Sequence, residues 1–431
     1  MGADRDIVIV CRGRFGYYCI QKCLPIYLIL LSEWSGRMRF GYSQNIHDLT
    51  KRRDYGELLD ELRELAVICD RAGMDTFWLP EHHFSVWGRE LIPNPILLAA
   101  DLAARTERIR IGLAAVIVTF WHPLRVAEDI AMLDHLTGGR LELGVGRGNY
   151  GLEAQNLNPI ADPNDQAMNI RVFEEAVAII KLALGEERFS FKGEIYEFPA
   201  PGFKADRAHS IDDPAYVDPA TKELIKLSIY PRARQKPLPP MWQVVNSIES
   251  IQHAARLDMG IIMWRPGVKS LKHRLTAYRD AVLAAHGREL GIGERTGILR
   301  DTFCAPSEEE AVSIAAEPMM GSLNFSNWRG PSIYLDPGET LDPDEEARLK
   351  KHLPYEFVRD RCVMFGAPER IVAQVDELHR ETGIEHVIFK CSWPGIDPAR
   401  TRDSVRLLCQ EALPALKAKF PQTRPAAAAA E

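Results

Sequence analysis

The sequence lacks the features that would place it outside the ordinary globular proteins. It has no long apolar run: the longest uncharged stretch near the N-terminus, Leu24 to Ser32, is far short of the ~20 residues that span a bilayer. It has no basic excess. Its 53 Lys and Arg stand against 60 Asp and Glu, a net charge of −7, which excludes the electrostatic footprint of a nucleic-acid binder. Its eight cysteines, at 11, 19, 23, 69, 304, 362, 391 and 409, contain no C-x-x-C pair and no zinc spacing. In a chain of 431 residues they do not form a disulfide scaffold; reduced, mostly buried thiols in a cytoplasmic protein are expected. No metal, nucleic-acid or membrane partner is therefore expected. What is present is a balance of 46% hydrophobic and 26% charged residues, which excludes a disordered chain, a coiled coil and a collagen.

The two ends differ from the rest. Residues 1–37 hold three of the cysteines, several basic residues and the run Leu24 to Leu31. Basic residues before a short apolar stretch allow a signal peptide. However, the basic part is long, and Glu33-Trp34-Ser35-Gly36-Arg37 is not a small-residue cleavage site. Residues 1–37 read better as an appendage, with Met38 starting the domain. The tail 421–431, with alanine from Ala426 to Ala430, is expected to fray.

Between these ends, short runs rich in β-branched and aromatic residues alternate with amphipathic stretches. Strands are expected at 39–42, 75–79, 109–118, 140–146, 242–245, 260–264, 297–303 and 386–391. Helices are expected at 57–72, 95–105, 123–136, 170–184, 248–257, 271–285, 308–318, 368–381 and 401–416. Two irregular stretches, about 188–240 and 321–354, break the rhythm, the first with a hairpin near 189–196. Eight strands followed in order by helices pair in parallel through right-handed crossovers and close as an α/β fold, the (β/α)8 TIM barrel, over 38–420. A doubly wound open sheet is the alternative. Barrel active sites lie at the C-terminal strand ends. Glu81-His82-His83, Ala114-Ala115, Gly144 to Gly148 and Asn246-Ser247 are therefore expected to converge on one mouth, roofed by the two insertions.

Glu81-His82-His83-Phe84 ends the second strand. Side chains alternate in an extended chain, so Glu81 and His83 share one face and His82 takes the other. A histidine in a barrel mouth can serve as a general base, or both histidines can be structural. No H-E-x-x-H spacing supports a metal. Gly146-x-Gly148-x-x-Gly151 matches the dinucleotide pattern in letters only: it follows the fourth strand, and no clean helix is expected after it. A glycine-rich strand end that admits a flat or anionic ligand fits better, with Arg147 offering charge to a phosphate and Tyr150 close by. A surface salt bridge is the plainer role for Arg147. Asn246-Ser247-Ile248-Glu249-Ser250 opens the fifth helix. Ser247 and Ser250 are either ordinary caps or phosphate donors, with the distant Arg147 completing the site. Ala114-Ala115 either relieves crowding or leaves room for a planar ring. Trp78, Phe84, Trp87 and Trp121 suggest an aromatic pocket, or belong to the core.

Together these residues resemble the luciferase-like flavin monooxygenases, the bacterial luciferase superfamily. The resemblance covers about Met38 to Leu416. It rests on Asp75-Thr76-Phe77-Trp78-Leu79-Pro80-Glu81-His82-His83-Phe84, Gly112-Leu113-Ala114-Ala115, His122-Pro123, Leu133-Asp134-His135-Leu136-Thr137-Gly138-Gly139-Arg140 and Gly144-Val145-Gly146-Arg147-Gly148. The helix from Ser247 to Ala255 and Gly366-Ala367-Pro368-Glu369 also fit. The resemblance implies a TIM barrel that binds FMN, usually reduced FMN delivered by a separate flavin reductase. It implies that His82 is the catalytic acid/base, that Ala114-Ala115 is a non-prolyl cis peptide beside the flavin ring, and that Arg147, Ser247 and Ser250 contact the phosphate. Gly146, Gly148, Tyr150 and Asn246 complete the expected cofactor-binding set, and Arg171 is a candidate for a further phosphate arginine. Gly146 stands where luciferase itself has a reactive cysteine, which argues against light emission, and Asn246 replaces an acid. The implied reaction is oxygenation of a small apolar or aromatic substrate by reduced flavin and O2 through a C4a-peroxide shielded from water, in a homo-oligomer. The alternatives are a deazaflavin- or FMN-dependent oxidoreductase without oxygen insertion, and a flavin-binding barrel without turnover.

Overall fold

The structure is a computed structural model that describes residues 38–204, 211, 213–327 and 330–420; the expected appendage 1–37 and tail 421–431 lie outside these residues. The described chain falls into two compact units. The first comprises residues 38–116, Arg140–Val145 and 240–420, and the second Ile117–Gly139 and Gly146–Pro239.

In chain order the elements are β1 (Arg39–Ser43), α1 (Tyr55–Ala72), β2 (Thr76–Leu79), α2 (Pro95–Ala103), β3 (Arg110–Ile117), α3 (Pro123–Leu136) and β4 (Leu141–Gly146). Next come α4 (Gly151–Leu157), α5 (Gln166–Gly185), the short pair β5 (Phe191–Lys192) and β6 (Glu197–Phe198), β7 (Met241–Val244), α6 (Ile248–Arg256), β8 (Gly260–Trp264) and α7 (Val268–His286). The chain closes with β9 (Thr296–Cys304), α8 (Glu308–Phe325), α9 (Pro343–Lys351), α10 (Tyr355–Cys362), β10 (Val363–Gly366), α11 (Pro368–Thr382), β11 (His386–Lys390), α12 (Pro398–Leu407) and α13 (Leu413–Lys419).

The strands of the first unit run in the order β9-β11-β1-β2-β3-β4-β7-β8 and return to β9, where Ile261 pairs with Thr296. That last pairing closes the ring. The fold is the expected (β/α)8 barrel and not the open sheet. The expected strands fall within a residue or two of the observed ones. Helix α1 shows why the sequence was readable here. Asp54 caps it by accepting the N–H groups of Gly56 and Glu57, Leu58, Leu62, Leu65 and Cys69 form its buried face, and Gly73 closes it at φ +80°.

The barrel interior is filled by Trp78 and Trp242, whose rings meet edge to face at 6.1 Å, with Ile262 and Ile388 beside them. A Cβ on Gly112 would lie 2.2 Å from the Trp78 ring, so the facing strand must carry glycine. Trp78 is thus core rather than pocket lining, while Phe84 and Trp87 are exposed. At the N-terminal end of the barrel, Glu142 is fully buried against Arg39 and lies 2.8 Å from Nε of Arg110. Nearby, His386 Nε2 lies 3.0 Å from the Thr76 hydroxyl, which accepts the Trp78 indole N–H at 2.8 Å.

Four local expectations need correction. Strand β10 was unforeseen; it pairs with β9 as Val363 to Asp301. Helix α8 does not stop at Pro318 but runs on to Phe325, because Met319 and Leu323 extend the buried face begun by Ala311 and Ala315. Gly151 does open a helix, α4, though one of only seven residues. The closing helix is interrupted by a π turn over Leu408–Ala412. In the second unit, the β5–β6 turn is tied down by the Glu175 carboxylate, which accepts the backbone N–H groups of Glu194, Ile195 and Tyr196. The five described cysteines are buried and form no disulfide. No helix among the described residues is long and apolar enough to cross a membrane.

Candidate functional site

The site is built from the C-terminal ends of the strands in the first unit. After β2 the chain leaves as an irregular extension. Glu81 Oε1 and His83 Nε2 lie 2.8 Å apart, with Glu81 fully buried, so these two share a side as the alternation requires. His82 instead meets Glu90, with Nε2 3.5 Å from Oε1, and its side chain is 21% exposed. The His82 backbone N–H donates to the Ile92 carbonyl at 3.0 Å, which fixes the loop. His47, in the loop after β1, contacts the Arg89 carbonyl through Nδ1. Burial, aided by the charge of Lys390, lowers its pKa to about 3, so His47 is neutral at ordinary pH.

On β3 the Ala114–Ala115 peptide is cis, and Ala114 packs against the Trp78–Trp242 cluster. Two strands along the ring, after β7, Ser247 caps α6 in a reciprocal box. Its hydroxyl accepts the Ser250 N–H at 3.2 Å, and the Ser250 hydroxyl accepts the Ser247 N–H at 3.0 Å and the Asn246 N–H at 3.3 Å. The capping role is therefore real; Ser247 is exposed, while Ser250 is half-buried and its hydroxyl donates to the Ser247 carbonyl at 2.8 Å. The helix start already attracts an anion: the Glu249 carboxyl is held below its usual range, first by its own backbone N–H and then by Ser247. The Asn246 carbonyl accepts the Arg274 guanidinium from α7.

The second unit holds the glycine-rich end of β4. Arg147 Nη1 donates to Asn169 Oδ1 at 3.1 Å and Gln166 Oε1 at 3.3 Å, both neutral amides of α5. Asn169 and Thr119 donate back to the Arg147 carbonyl at 3.0 and 3.1 Å. Gly148 sits at φ +79°, and a Cβ there would lie 2.6 Å from the Phe120 ring. Tyr150 takes the N-cap position of α4 without a side-chain cap bond. Arg171 pairs with Glu194 at 2.7 Å, which occupies the weaker arginine candidate.

A second group of charged residues, at the C-terminal ends of β8, β9 and β11, was not expected from the sequence. Asp301 is buried and accepts the indole N–H groups of Trp393 at 2.7 Å and Trp264 at 3.3 Å. Lys390 Nζ lies 3.9 Å from Asp301 Oδ1 and 4.7 Å from the centroid of the Trp264 ring. Arg265 stacks on the same ring at 3.4 Å and donates to the Ser326 hydroxyl at 3.1 Å. The sequence did carry a signal. Asp301 and Lys390 are charged residues within or ending otherwise apolar barrel strands, where a lone charge needs a reason. The insertion at 321–354 does reach this end. Arg89 donates to the Gly321 carbonyl at 3.4 Å, and Trp87 packs on Phe325 at 5.6 Å.

The luciferase-like monooxygenase family matches residues 38–386. The chain belongs to that family. This luciferase-like monooxygenase is 26% identical over 383 residues to the oxygenase component of the flavin-dependent trigonelline monooxygenase of Acinetobacter baylyi, covering 88% of this chain and 95% of that one. Among solved structures, the oxygenating constituent of 3,6-diketocamphane monooxygenase from Pseudomonas putida, in complex with FMN, is similar at a TM-score of 0.66 and 22% identity, covering 88% of this chain and 98% of that one. The coenzyme F420-dependent tetrahydromethanopterin reductase of Methanopyrus kandleri is similar at a TM-score of 0.62 and 15% identity, covering 88% and 100%. The last two likenesses bear on the fold.

The residues present in this luciferase-like monooxygenase fit a flavin. The small side chains of Ala114 and Ala115 leave a strand end without bulk. The α6 start offers the exposed Ser247 hydroxyl, with Ser250 behind it, in a first turn that already draws in the Glu249 carboxylate.

Proposed function

We propose that this luciferase-like monooxygenase uses reduced FMN, supplied by a separate flavin reductase, to place one atom of O2 in a small apolar or aromatic substrate, the other leaving as water. The observation that carries this reading is the His82–Glu90 pair at the C-terminal end of a closed barrel in a chain of this family. Reduced FMN supplies, when bound, the electrons and the activation of O2. The protein supplies position, dryness and protons. His82 is the acid/base: its imidazole can hold a proton at Nε2 with the Glu90 carboxylate as neighbour, while His83 is committed to Glu81.

Ala114, Ala115 and Asn246 are proposed to border the flavin; for Gly146, Gly148 and Tyr150, which belong to the second unit, a cofactor role is proposed on the family resemblance of the β4 end alone. Ser247 and Ser250 contact the phosphate through their hydroxyls and the α6 N-terminus. Arg147 is proposed as a phosphate contact on separate grounds: it follows the glycine-rich end of β4, and the Gln166 and Asn169 amide oxygens fix the direction of its guanidinium. The end of α8, where Gly321 and Phe325 meet Arg89 and Trp87 of the loop after β2, is proposed to help cover the mouth. The oxygenase-component name of the A. baylyi relative supports a separate reductase, and the Glu81-His82-His83-Phe84 end favours FMN over a deazaflavin. The working unit is proposed to be residues 38–420, as a cytoplasmic homo-oligomer.

The test supplies the full chain with FMN, NADH, a flavin reductase and 18O2, and screens small aromatic and apolar substrates. One 18O atom per product is expected. Unlabelled products, or turnover only with coenzyme F420, would replace this reading with an oxidoreductase that inserts no oxygen.

A further inference from the structure

The charged cluster at the ends of β8, β9 and β11 plays no part in the chemistry assigned so far. Asp301 is its only fully buried acid, and it faces more than one cation. Lys390 touches it at the long distance of 3.9 Å and makes no hydrogen bond among the described residues. Arg265 is 6% exposed, has no ion pair among the described residues, and leaves its Nε buried without a hydrogen-bond partner. The other nearby acid, Glu90, meets His82 at 3.5 Å and acts on Lys390 less than Asp301 does. Buried cations in excess of buried anions are costly unless something negative joins them. Backbone strain points the same way: Arg265 holds φ +80°, a conformation that side chains seldom adopt and that gathers at ligand sites.

We propose that Lys390 and Arg265, both at cation–π distance from the Trp264 indole, form an anion-recognition pole, so that the substrate carries a carboxylate attached to an aromatic body. This deepens the monooxygenase reading and rests on it for the word substrate. Trp264 is only half-buried and supplies the aromatic surface. Lys390 supplies a compact charge and Arg265 a planar one, both already at cation–π distance from that ring. An aryl carboxylate would complete the set: its ring would meet the exposed edge of this aromatic group and its charge would take the place that Asp301 fills only in part. The position is also right. Lys390 and His82 both act electrostatically on His47, so a ligand anchored on Lys390 lies within the neighbourhood of the proposed acid/base. Burial lowers the Lys390 pKa while Asp301 opposes the fall, as expected of an ammonium short of partners.

The same charges could instead meet the anionic pyrimidine edge of reduced flavin, and the test separates the two sources. Benzoate and benzamide, equal in shape and different in charge, are titrated by calorimetry into the full chain without flavin. Benzoate is expected to bind more tightly, and Lys390→Gln to weaken it by ~10- to 100-fold while leaving benzamide unchanged, the range for a charged hydrogen bond. Lys390→Arg should keep the preference for benzoate, which separates lost charge from lost folding, and melting curves of both variants check the fold. Equal binding of the two probes, or an unchanged preference in Lys390→Gln, overturns the proposal. So does a Lys390→Gln variant that keeps its benzoate preference and shifts the midpoint potential of bound FMN, because the anion is then the flavin. Failure of the wild type to bind FMN would count against the flavin reading alone, since the benzoate titration uses none.

Discussion

The two ends of the barrel treat charge in opposite ways. At the N-terminal end the buried acid is directly ion-paired: Arg39 and Arg110 both meet Oε1 of Glu142, while Oε2 has no hydrogen-bond partner among the described residues. Burial alone would raise the Glu142 carboxyl, but Arg39 and then Arg110 hold it at about 2, against an ordinary 4.5. At the C-terminal end the buried cations are underfilled: Lys390 stands 3.9 Å from a shared acid, and Arg265 has no acid at all among the described residues. Both ends belong to one unit and one ring of strands, so the contrast is not one of fold. It teaches where the molecule keeps stability and where it keeps reactivity. Matched charges lock the strand starts together, and unmatched ones at the strand exits wait for a ligand, the end where barrels of this kind carry their chemistry.

Substitutions at each end can break or sharpen that contrast. The largest effect is expected at the reactive end. His82→Ala should fold and bind FMN yet lose ~10²- to 10⁴-fold in turnover, the usual scale for an acid/base residue. His83→Ala, which strips a partner from buried Glu81, should lose stability more than rate; melting temperature and turnover measured on both decide it. Near-normal turnover of His82→Ala under saturating reduced flavin would remove the catalytic assignment.

At the matched end, Glu142→Ala should cost about 3–5 kcal/mol in urea unfolding, because two arginines lose their buried acid. The pH dependence has a definite sign. The folded Glu142 value, about 2, lies below the ordinary 4.5, so its stabilisation is complete above 4.5 and is lost as pH falls towards 2. Unfolding free energies of the wild type should therefore fall across that window, by up to about 1.4 kcal/mol per pH unit from this group, and those of Glu142→Ala should fall less. Parallel curves would show that the ion pairs add no stability. The smallest effect concerns the phosphate. Arg147→Ala should weaken FMN binding by about 1.5–3 kcal/mol and leave riboflavin nearly unchanged. Equal weakening of both would make Arg147 a structural residue that only holds Asn169.

The barrel frame was legible in the sequence because its causes are local and periodic, whereas the Arg39–Glu142 pair at the strand starts joins residues far apart in the chain and was not. Alternating apolar runs, a cap such as Asp54 and a left-handed Gly73 each announce themselves within a few residues. His82 was legible through the period of two in an extended chain, which turns it away from Glu81 and His83. The misses have tertiary causes. Pro318 reads as a stop, yet the apolar face of α8 carries the helix past it. The four residues of β10 carry too little pattern to stand out beside α10. The Lys390–Asp301–Arg265 group joins three strand ends far apart in the chain, and no local pattern says that they meet.

The catalytic reading of the open end of this barrel depends on its being an FMN site. The most direct measurement is a fluorescence titration of the full chain with FMN, riboflavin and coenzyme F420 in turn. FMN is expected to bind one per chain and more tightly than riboflavin, because the phosphate is held. Indifference to the phosphate, or a preference for coenzyme F420 over FMN, would contradict it.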